Sequence, residues 1–392
     1  MSIFSLSEED SASLKNFRDY VDEVIFPCSN EWEENESIPD DILNDFADRG
    51  FMGAFIPKAW GGMGMNNLRF GLFCAELARG SVSLLSILTV HNMTSQAILR
   101  WGTEEQKKRW LPRLSKGVIR AAFALTEPEI GSDASNITTR AVPQGGTYIL
   151  NGAKKWISFS TKADLILVIA QYPEKGPAAF LVERQAPGLS ITPMKGLLGF
   201  RAAEVGEVTF NDCKVGTDSL LANPGGGFTY VASHALDHGR YCVGWGGTGV
   251  IRGCVEACTE YTRTRHQFGR ALRSHQLIQA MVADMATDLE AATSLAMRAA
   301  DSRETMEPES IMLSSISKYF TSKAALRAAT DAVQIHGGNG CGPDYPVQRY
   351  YRDAKVCEII EGSSQMQQLM ISREVFTGAL VRRQRRRQRD VR

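Results

Sequence analysis

Neither sign of charge is in excess in this 392-residue sequence, where 44 Lys and Arg face 44 Asp and Glu. That balance argues against a broadly basic nucleic-acid face. The one asymmetry is at the end, where seven Arg and one Asp between Arg382 and Arg392 give +6 and leave about −6 for the rest. Long apolar runs are missing too. Stretches such as Leu165 to Ala170 fall far short of the roughly 18 residues of a membrane span. The opening MSIFSLSEEDSASLKNF lacks a basic stretch followed by an apolar one. A cytoplasmic protein without membrane contact is the expectation. Cysteine is neither dense nor patterned: eight residues at 28, 74, 213, 242, 254, 258, 341 and 357 are scattered through a chain rich in other core formers. Reduced thiols are expected rather than a disulfide framework. Cys254 and Cys258 stand four apart with no second Cys/His pair, so core packing is expected there and no metal site. No G-x-G-x-x-G follows a predicted strand, which disfavours a Rossmann nicotinamide site; Gly247-Thr248-Gly249 falls inside a helical stretch. No G-x-S-x-G elbow or Ser/His/Asp arrangement stands out among six scattered histidines, so nucleophilic acyl transfer has little support.

What is present is the composition of a globular chain: hydrophobic residues make up 43%, and the length suggests roughly two to three domains. From Glu8 to about Arg120 apolar positions recur three and four apart, as in Leu43 and Phe46 or Ala97, Ile98 and Trp101, with a turn at PKAWGGMGMNN. This part reads as helical. From about Ala121 to Ala222 the pattern shifts to short β-rich runs, TYILNG, DLILVIAQY, AAFLVER, GLSITPM and EVTFNDCKV, between Gly, Pro and Asp turns. Their spacing fits a small antiparallel β-domain. After the glycines 225 to 227 the helical period returns over about 230–265, 275–303, 308–336 and 364–380, with Ile278, Met281, Met285, Leu289 and Ala292 forming one expected buried stripe. Four long helices suggest a bundle. The expected division is therefore 1–120, 121–229 and 230–381, with 382–392 a solvated, fraying tail or a dock for an acidic partner.

Three segments are chemically specific when taken together. The first is ALTEPEIGSD from Ala124 to Asp133, where Gly131 and Ser132 supply a tight turn and exposed N–H groups. The second is QIHGGNG from Gln334 to Gly340, a helix ending in glycines that either cap it or approach a phosphate. The third is YRDAKVCEIIEGSSQ, in which Glu361 follows an apolar pair and precedes Gly362. A desolvated carboxylate there has a raised pKa and can act as a base.

In this order and spacing, and joined by Trp156-Ile157-Ser158 and by Arg265-His-Gln-Phe268-Gly269, these segments resemble the acyl-CoA dehydrogenase family of flavoproteins. The resemblance runs from about residue 10 to 380. It implies a mainly α fold with an N-terminal helical domain, a middle antiparallel β-barrel-like domain and a C-terminal four-helix bundle. It also implies FAD, a homodimer or homotetramer, and electron-transfer flavoprotein or oxygen as acceptor. No nucleic acid, membrane or metal enters the scheme.

By this similarity Glu361 is the catalytic base, removing the proton alpha to a thioester carbonyl while the beta hydride moves to flavin N5. Donors for the developing enolate would be the N–H of Glu361 and a flavin ribityl hydroxyl. Phe123, Leu125, Thr126 and Ser132 would line the ring site, Trp156 would pack on the ring, and Ser158, usually Thr in the family, would reach N5. Arg265, Gln267, Phe268, Leu272 and His275, with Gln334, Gly337 and Gly338, match the set that holds diphosphate and adenosine across a dimer interface. Arg suits a diphosphate because its planar fork bonds in pairs. Ser363 and Gln365 complete the cofactor site, and Ser132, Gly362, Asp237 and Arg240 match substrate positions, the last two near the pantetheine arm.

Two departures bear on the substrate. Ile360 stands where most members have Tyr, and Cys341 where most have an aromatic residue. The Ile360 change sits at the thioester end of the cleft and counts against ordinary CoA recognition, and the run YRDAKVCEIIEGSSQM, with that from Ser86 to Pro112, looks more like the subgroup that oxidises acyl groups tethered to acyl carrier protein, in making hydroxymalonyl or methoxymalonyl extender units for polyketide and peptide assembly lines. Thr89, Val90, His91 and Met93 on the helix closing the acyl pocket suggest a short, polar acyl group. His91 is either the partner of a substrate hydroxyl or a satisfied core histidine. The competing readings are a conventional short-chain acyl-CoA dehydrogenase and a non-catalytic flavin- or acyl-binding homologue.

Overall fold

The structure is a computed structural model that describes residues 6–377; the expected tail, 382–392, lies outside the described residues. In chain order come helices α1 (Glu8–Tyr20), α2 (Ser29–Asn35), α3 (Asp40–Asp48), α4 (Asn67–Gly80), α5 (Val82–Trp101) and α6 (Glu104–Ser115). Strands β1 (Ala121–Ala124), β2 (Arg140–Gln144), β3 (Thr147–Ile157), β4 (Leu165–Tyr172), β5 (Gly176–Glu183), β6 (Leu189–Pro193), β7 (Gly206–Gly216) and β8 (Leu220–Leu221) follow. The rest is α7 (Ser233–Thr264), a hairpin of β9 (His266–Gln267) and β10 (Arg270–Ala271), then α8 (Gln276–Glu304), α9 (Ser310–His336), α10 (Val347–Cys357) and α11 (Ser364–Phe376). The order is helices, strands, helices, as the sequence periods imply. Packing groups these elements into two units, one of residues 28–66 and 81–239, the other of the described residues 6–27, 67–80 and 240–377.

In the first unit α5 starts at Ser81, whose hydroxyl accepts from the Leu84 N–H, and α6 at a capping box between Thr103 and Gln106. By length and composition α5 is apolar enough to cross a bilayer, yet 94% of that window is buried inside the protein. Its polar side chains bond to main-chain carbonyls: Thr89 to Leu85, Asn92 to Leu88, Ser95 to His91 and Thr94 to Ala122 of β1. The eight strands run in the order β6-β7-β3-β2-β4-β5-β8, with β1 beside β4. Their inward residues, among them Leu150, Ile166, Val168, Phe180, Val208 and Phe210, form one core. The sheet differs from a purely antiparallel barrel in two respects. It is open, ending at the short strands β6 and β8, and β4 has parallel neighbours, β1 with Ala121 opposite Leu165 and β2 with Arg140 opposite Gln171. The chain between β1 and β4, which carries the β2–β3 pair, is long enough for the crossover that a parallel pairing needs.

In the second unit α8, α9 and most of α7 are the long helices; α10 and α11 pack on α9, α4 packs on α8, and α1 packs on α4. The glycines of α7 serve close approach rather than a nucleotide loop. A Cβ on Gly247 would lie 2.8 Å from the Thr321 hydroxyl of α9, and one on Gly249 would collide with the Ala75 carbonyl of α4. Buried Glu76 bonds Arg18, Arg79 and Arg252; against its burial, Arg252, Arg79 and Arg18 hold its carboxyl below the usual range. The expected α8 stripe is buried only at Met285 and Ala292, whereas Ile278, Met281 and Leu289 are half-buried within this chain. All eight cysteines are free thiols.

Candidate active site

The segment bearing Glu361 is a short loop between α10 and α11. Glu361 itself adopts a left-handed φ of 55°, followed by Gly362 at 87°. For a residue with a Cβ this conformation costs about 1–3 kcal/mol and persists only where the surroundings hold it. They do so through the main chain. Arg240 Nε of α7 donates to the Glu361 carbonyl at 3.2 Å, and Gln367 Nε2 of α11 donates to the carbonyls of Glu361 and Gly362 at 3.1 and 3.0 Å. Lys318 Nζ of α9 donates to the carbonyls of Gly362 and Glu358 at 2.9 and 3.3 Å. Ser363 caps α11 by accepting from the Met366 N–H at 3.4 Å. The carboxyl group is left apart from this bracing: Oε2 of Glu361 is buried and has no hydrogen-bond partner among the described residues. Burial pushes this carboxyl up to about 7, with Arg240 and Lys318 pulling against burial and Cys242 adding to it. A carboxyl that titrates near neutrality, with a free oxygen, is suited to take and return a proton.

In the other unit, β1 runs into Thr126 and Glu127 alongside the end of β3. Lys154 of β3 is wholly buried; its ammonium donates to the Leu125 carbonyl at 2.9 Å and to Glu127 at 2.8 Å. Glu127 also accepts from the N–H groups of Thr138 and Thr139 at 2.6 and 2.9 Å. Against burial, Lys154 and the two threonines hold its carboxyl well below the usual range. This clamp fixes the loop beside Trp156, whose φ is 63° and whose ring is 53% exposed. Phe123 and Leu125 are buried, Thr126 and Ser158 half-buried, and Ser132 exposed. Ser86 of α5 donates to the Ser158 hydroxyl at 3.1 Å. Asp237, in the first turns of α7, is buried.

His91 is corrected by the structure. Its Nδ1 accepts from the Ala121 N–H at 3.2 Å, so Nε2 carries the proton and donates to the Leu114 carbonyl at 3.1 Å. Burial pulls its pKa down to about 4. A neutral ring with both nitrogens used by the main chain has none left for a substrate hydroxyl. Gly337 is corrected in one respect: its N–H caps α9 by donating to Gln334 and Val333, so it is not free for a phosphate.

The remaining expected residues lie around the β9–β10 hairpin and the end of α9. Arg265, Gln267 and Gln334 are exposed, and Phe268 is 93% exposed at a φ of 52°. Leu272 donates its N–H to the Arg265 carbonyl at 2.8 Å, and His275 Nε2 lies 3.2 Å from the Gln267 carbonyl, so both brace the hairpin. Nothing lies within 4 Å of where a Cβ would stand on Gly337 or Gly338. Gln365 is exposed. Taken unit by unit, the exposed Trp156 ring in one offers a platform for a flat aromatic ligand, and Arg265 with the open Gly338 in the other offers donors suited to a diphosphate. The residues present therefore fit FAD. Lys154 and Lys318 belong to none of the sequence motifs, and Glu127, though inside ALTEPEIGSD, has no role assigned from the sequence. Each nevertheless left a signal there, a charge at an inward position of a strand, in the TEPE turn and on a stripe of small residues in α9.

Three family models match the chain: the acyl-CoA dehydrogenase N-terminal domain over residues 7–118, the middle domain over 122–213 and the C-terminal domain over 225–376. A probable acyl-CoA dehydrogenase, FadE25 of Mycobacterium tuberculosis, is 35% identical over 95% of this chain and 97% of its own length. A glutaryl-CoA dehydrogenase from Mycobacterium smegmatis, solved in complex with FADH2, superposes with a TM-score of 0.90 at 29% identity, covering 95% of each chain. The prolyl acyl carrier protein oxidase AnaB gives 0.89 at 26% identity, covering 95% of this chain and 100% of its own. FkbI, described for biosynthesis of a methoxymalonyl extender unit, gives 0.85 at 28%, covering 93% and 99%.

Proposed function

We propose, from the premise that this chain belongs to the acyl-CoA dehydrogenase family, that it dehydrogenates a short acyl thioester with Glu361 as the base. The family's enzymes are FAD-dependent oxidoreductases acting on the CH–CH bond of acyl thioesters. The observation that carries the assignment is the buried, unpartnered Oε2 of Glu361, in a carboxyl that ionises near pH 7. The ionised carboxylate takes the proton from the carbon alpha to the thioester carbonyl and holds it as the neutral acid. Charge developing on the thioester oxygen is met by the N–H of Glu361. Bound FAD supplies the acceptor for the hydride that leaves the beta carbon. Thr126, Trp156 and Ser158 would hold the flavin ring, and Arg265, Gln267, Gln334 and Gly338 would hold the diphosphate and adenosine. Arg240 keeps the base loop in its left-handed turn, and Asp237 and Arg240, by their match to the family's positions, would meet the pantetheine arm.

The acyl group is carried on an acyl carrier protein. Ile360 and Cys341 support this, as does likeness to AnaB and FkbI, and the +6 charge between Arg382 and Arg392 would speed encounter with an acidic carrier. A second reading, the same reaction on a CoA thioester, is supported by the higher identity to FadE25. The 93% exposed Phe268 and the half-buried face of α8 support a second copy of the chain covering them. The test offers one short hydroxyacyl group on the carrier protein or on CoA and follows anaerobic bleaching of the flavin. Bleaching by the carrier-bound form alone is expected. Bleaching by CoA at least as fast would return the enzyme to the second reading, and admitting oxygen afterwards tells whether oxygen suffices as acceptor.

A further inference from the structure

Lys318 is the one charged side chain of α9 with no exposed surface. Burying an ammonium is costly unless its charge is answered. No carboxylate among the described residues bonds to it; its partners are the carbonyls of Glu358 and Gly362, which bracket the three residues ending in Glu361. The nearby carboxylate of Glu358 is bonded instead to Lys355 at 2.7 Å. Glu358 is the C-terminal cap of α10, so the ammonium also sits where a helix end favours positive charge. A neutral donor would satisfy the same two carbonyls without the desolvation. What the charge adds is an interaction with the Glu361 carboxyl.

The charged and titratable groups that influence the pair come from three helices. Arg240 and Cys242 come from α7, Lys318 itself from α9, and Cys357 from α10 with Glu358 at its end; α11 contributes the uncharged Gln367. We infer that Lys318 is a positioning residue for the base: it fixes the main chain on both sides of Glu361 and, with Arg240, favours the carboxylate form. This rests on the reading of Glu361 as the base. Burial lowers the Lys318 ammonium itself to about 8, so the lysine is mostly charged at neutral pH.

The test is the pH profile of kcat/KM, which reports ionisations of the free enzyme, for Lys318→Gln and Lys318→Met, with Glu361→Gln as control and with bound FAD and melting temperature measured for each. Gln keeps a donor without the charge, and Met removes both. Loss of the cation is expected to move the ascending limb up by about one pH unit. At pH 7 that is about a five-fold fall in kcat/KM, regained by about pH 9 in Lys318→Gln. Lys318→Met is expected to add a loss of kcat that high pH does not restore. An unmoved limb, with rates falling only as FAD or melting temperature falls, would overturn the inference. So would failure of both variants to hold FAD, since the lysine would then serve the fold alone. Activity in Glu361→Gln would instead remove the base reading itself, whereas an inactive Glu361→Gln beside an unmoved limb removes only the role of Lys318.

Discussion

Replacing Glu361 with Gln should stabilise the protein, increasingly so as the pH rises. The carboxyl is held near 7 against an ordinary value of 4.5. Between those values the unfolded chain has released its proton and the folded chain has not, so the unfolded state is favoured more with each step up in pH. At about 1.4 kcal/mol per pH unit this amounts to about 3 kcal/mol, complete above pH 7 and absent below pH 4.5. Glutamine keeps the shape and has no such titration. The left-handed turn at 361 and its bracing by Arg240, Gln367 and Lys318 are common to both proteins, so they cancel in the comparison. Because a chain of two packed units need not unfold in one step, the assay is melting temperature at pH 5, 6, 7 and 8, on protein freed of FAD. The variant should gain on the wild type by about 6 °C between the ends of that range. Parallel curves would refute the reasoning, because the carboxyl would then be as well solvated in the fold as in the unfolded chain.

Lys154→Met should leave Glu127 buried without its cation, costing about 3–5 kcal/mol and lowering bound FAD. Adding Glu127→Gln should restore part of the stability, and a Lys154→Met variant as stable as wild type would contradict the clamp. His91→Ala should leave the preference among acyl thioesters unchanged. His91 is held neutral down to about pH 4 against an ordinary 6.5, so its contribution to stability is present above 6.5 and lost as the pH falls toward 4. The wild type should therefore lose about 3 kcal/mol over that range that the variant does not; equal acid sensitivity in urea titrations would contradict it.

The long helices could be read in the sequence because a buried stripe repeats with the helical period. The expectation of about 275–303 and 308–336 meets helices at Gln276–Glu304 and Ser310–His336. The strands could be read from alternation, but the openness of the sheet could not. Closure depends on whether β6 and β8 meet, and nothing in either segment encodes a distant partner. The parallel place of β1 beside β4 was hidden for the same reason. In the candidate site, Glu361 stands out in the sequence as an acid between an apolar pair and a glycine, and the resemblance to the family turns that position into a base. His91 misled because a polar residue on a pocket-facing helix looks available, and its partners, a carbonyl at Leu114 and an N–H at Ala121, are main-chain groups that no side-chain pattern reveals. Lys318 shares that blindness, since it answers carbonyls, and Lys154 does so in part, since its ammonium is shared between the Leu125 carbonyl and Glu127. Their trace is a charge where the period calls for an apolar or small residue, at the inward phase of β3 after Leu150 and on the buried stripe of α9 with Ser314, Ser315 and Thr321.

The most direct test of the account is anaerobic flavin bleaching by a short acyl thioester in the wild type and in Glu361→Gln, with FAD content matched. The account predicts that the variant binds FAD and thioester yet bleaches at least about 100-fold more slowly. Bleaching at the wild-type rate would move the base to another residue and contradict the central assignment.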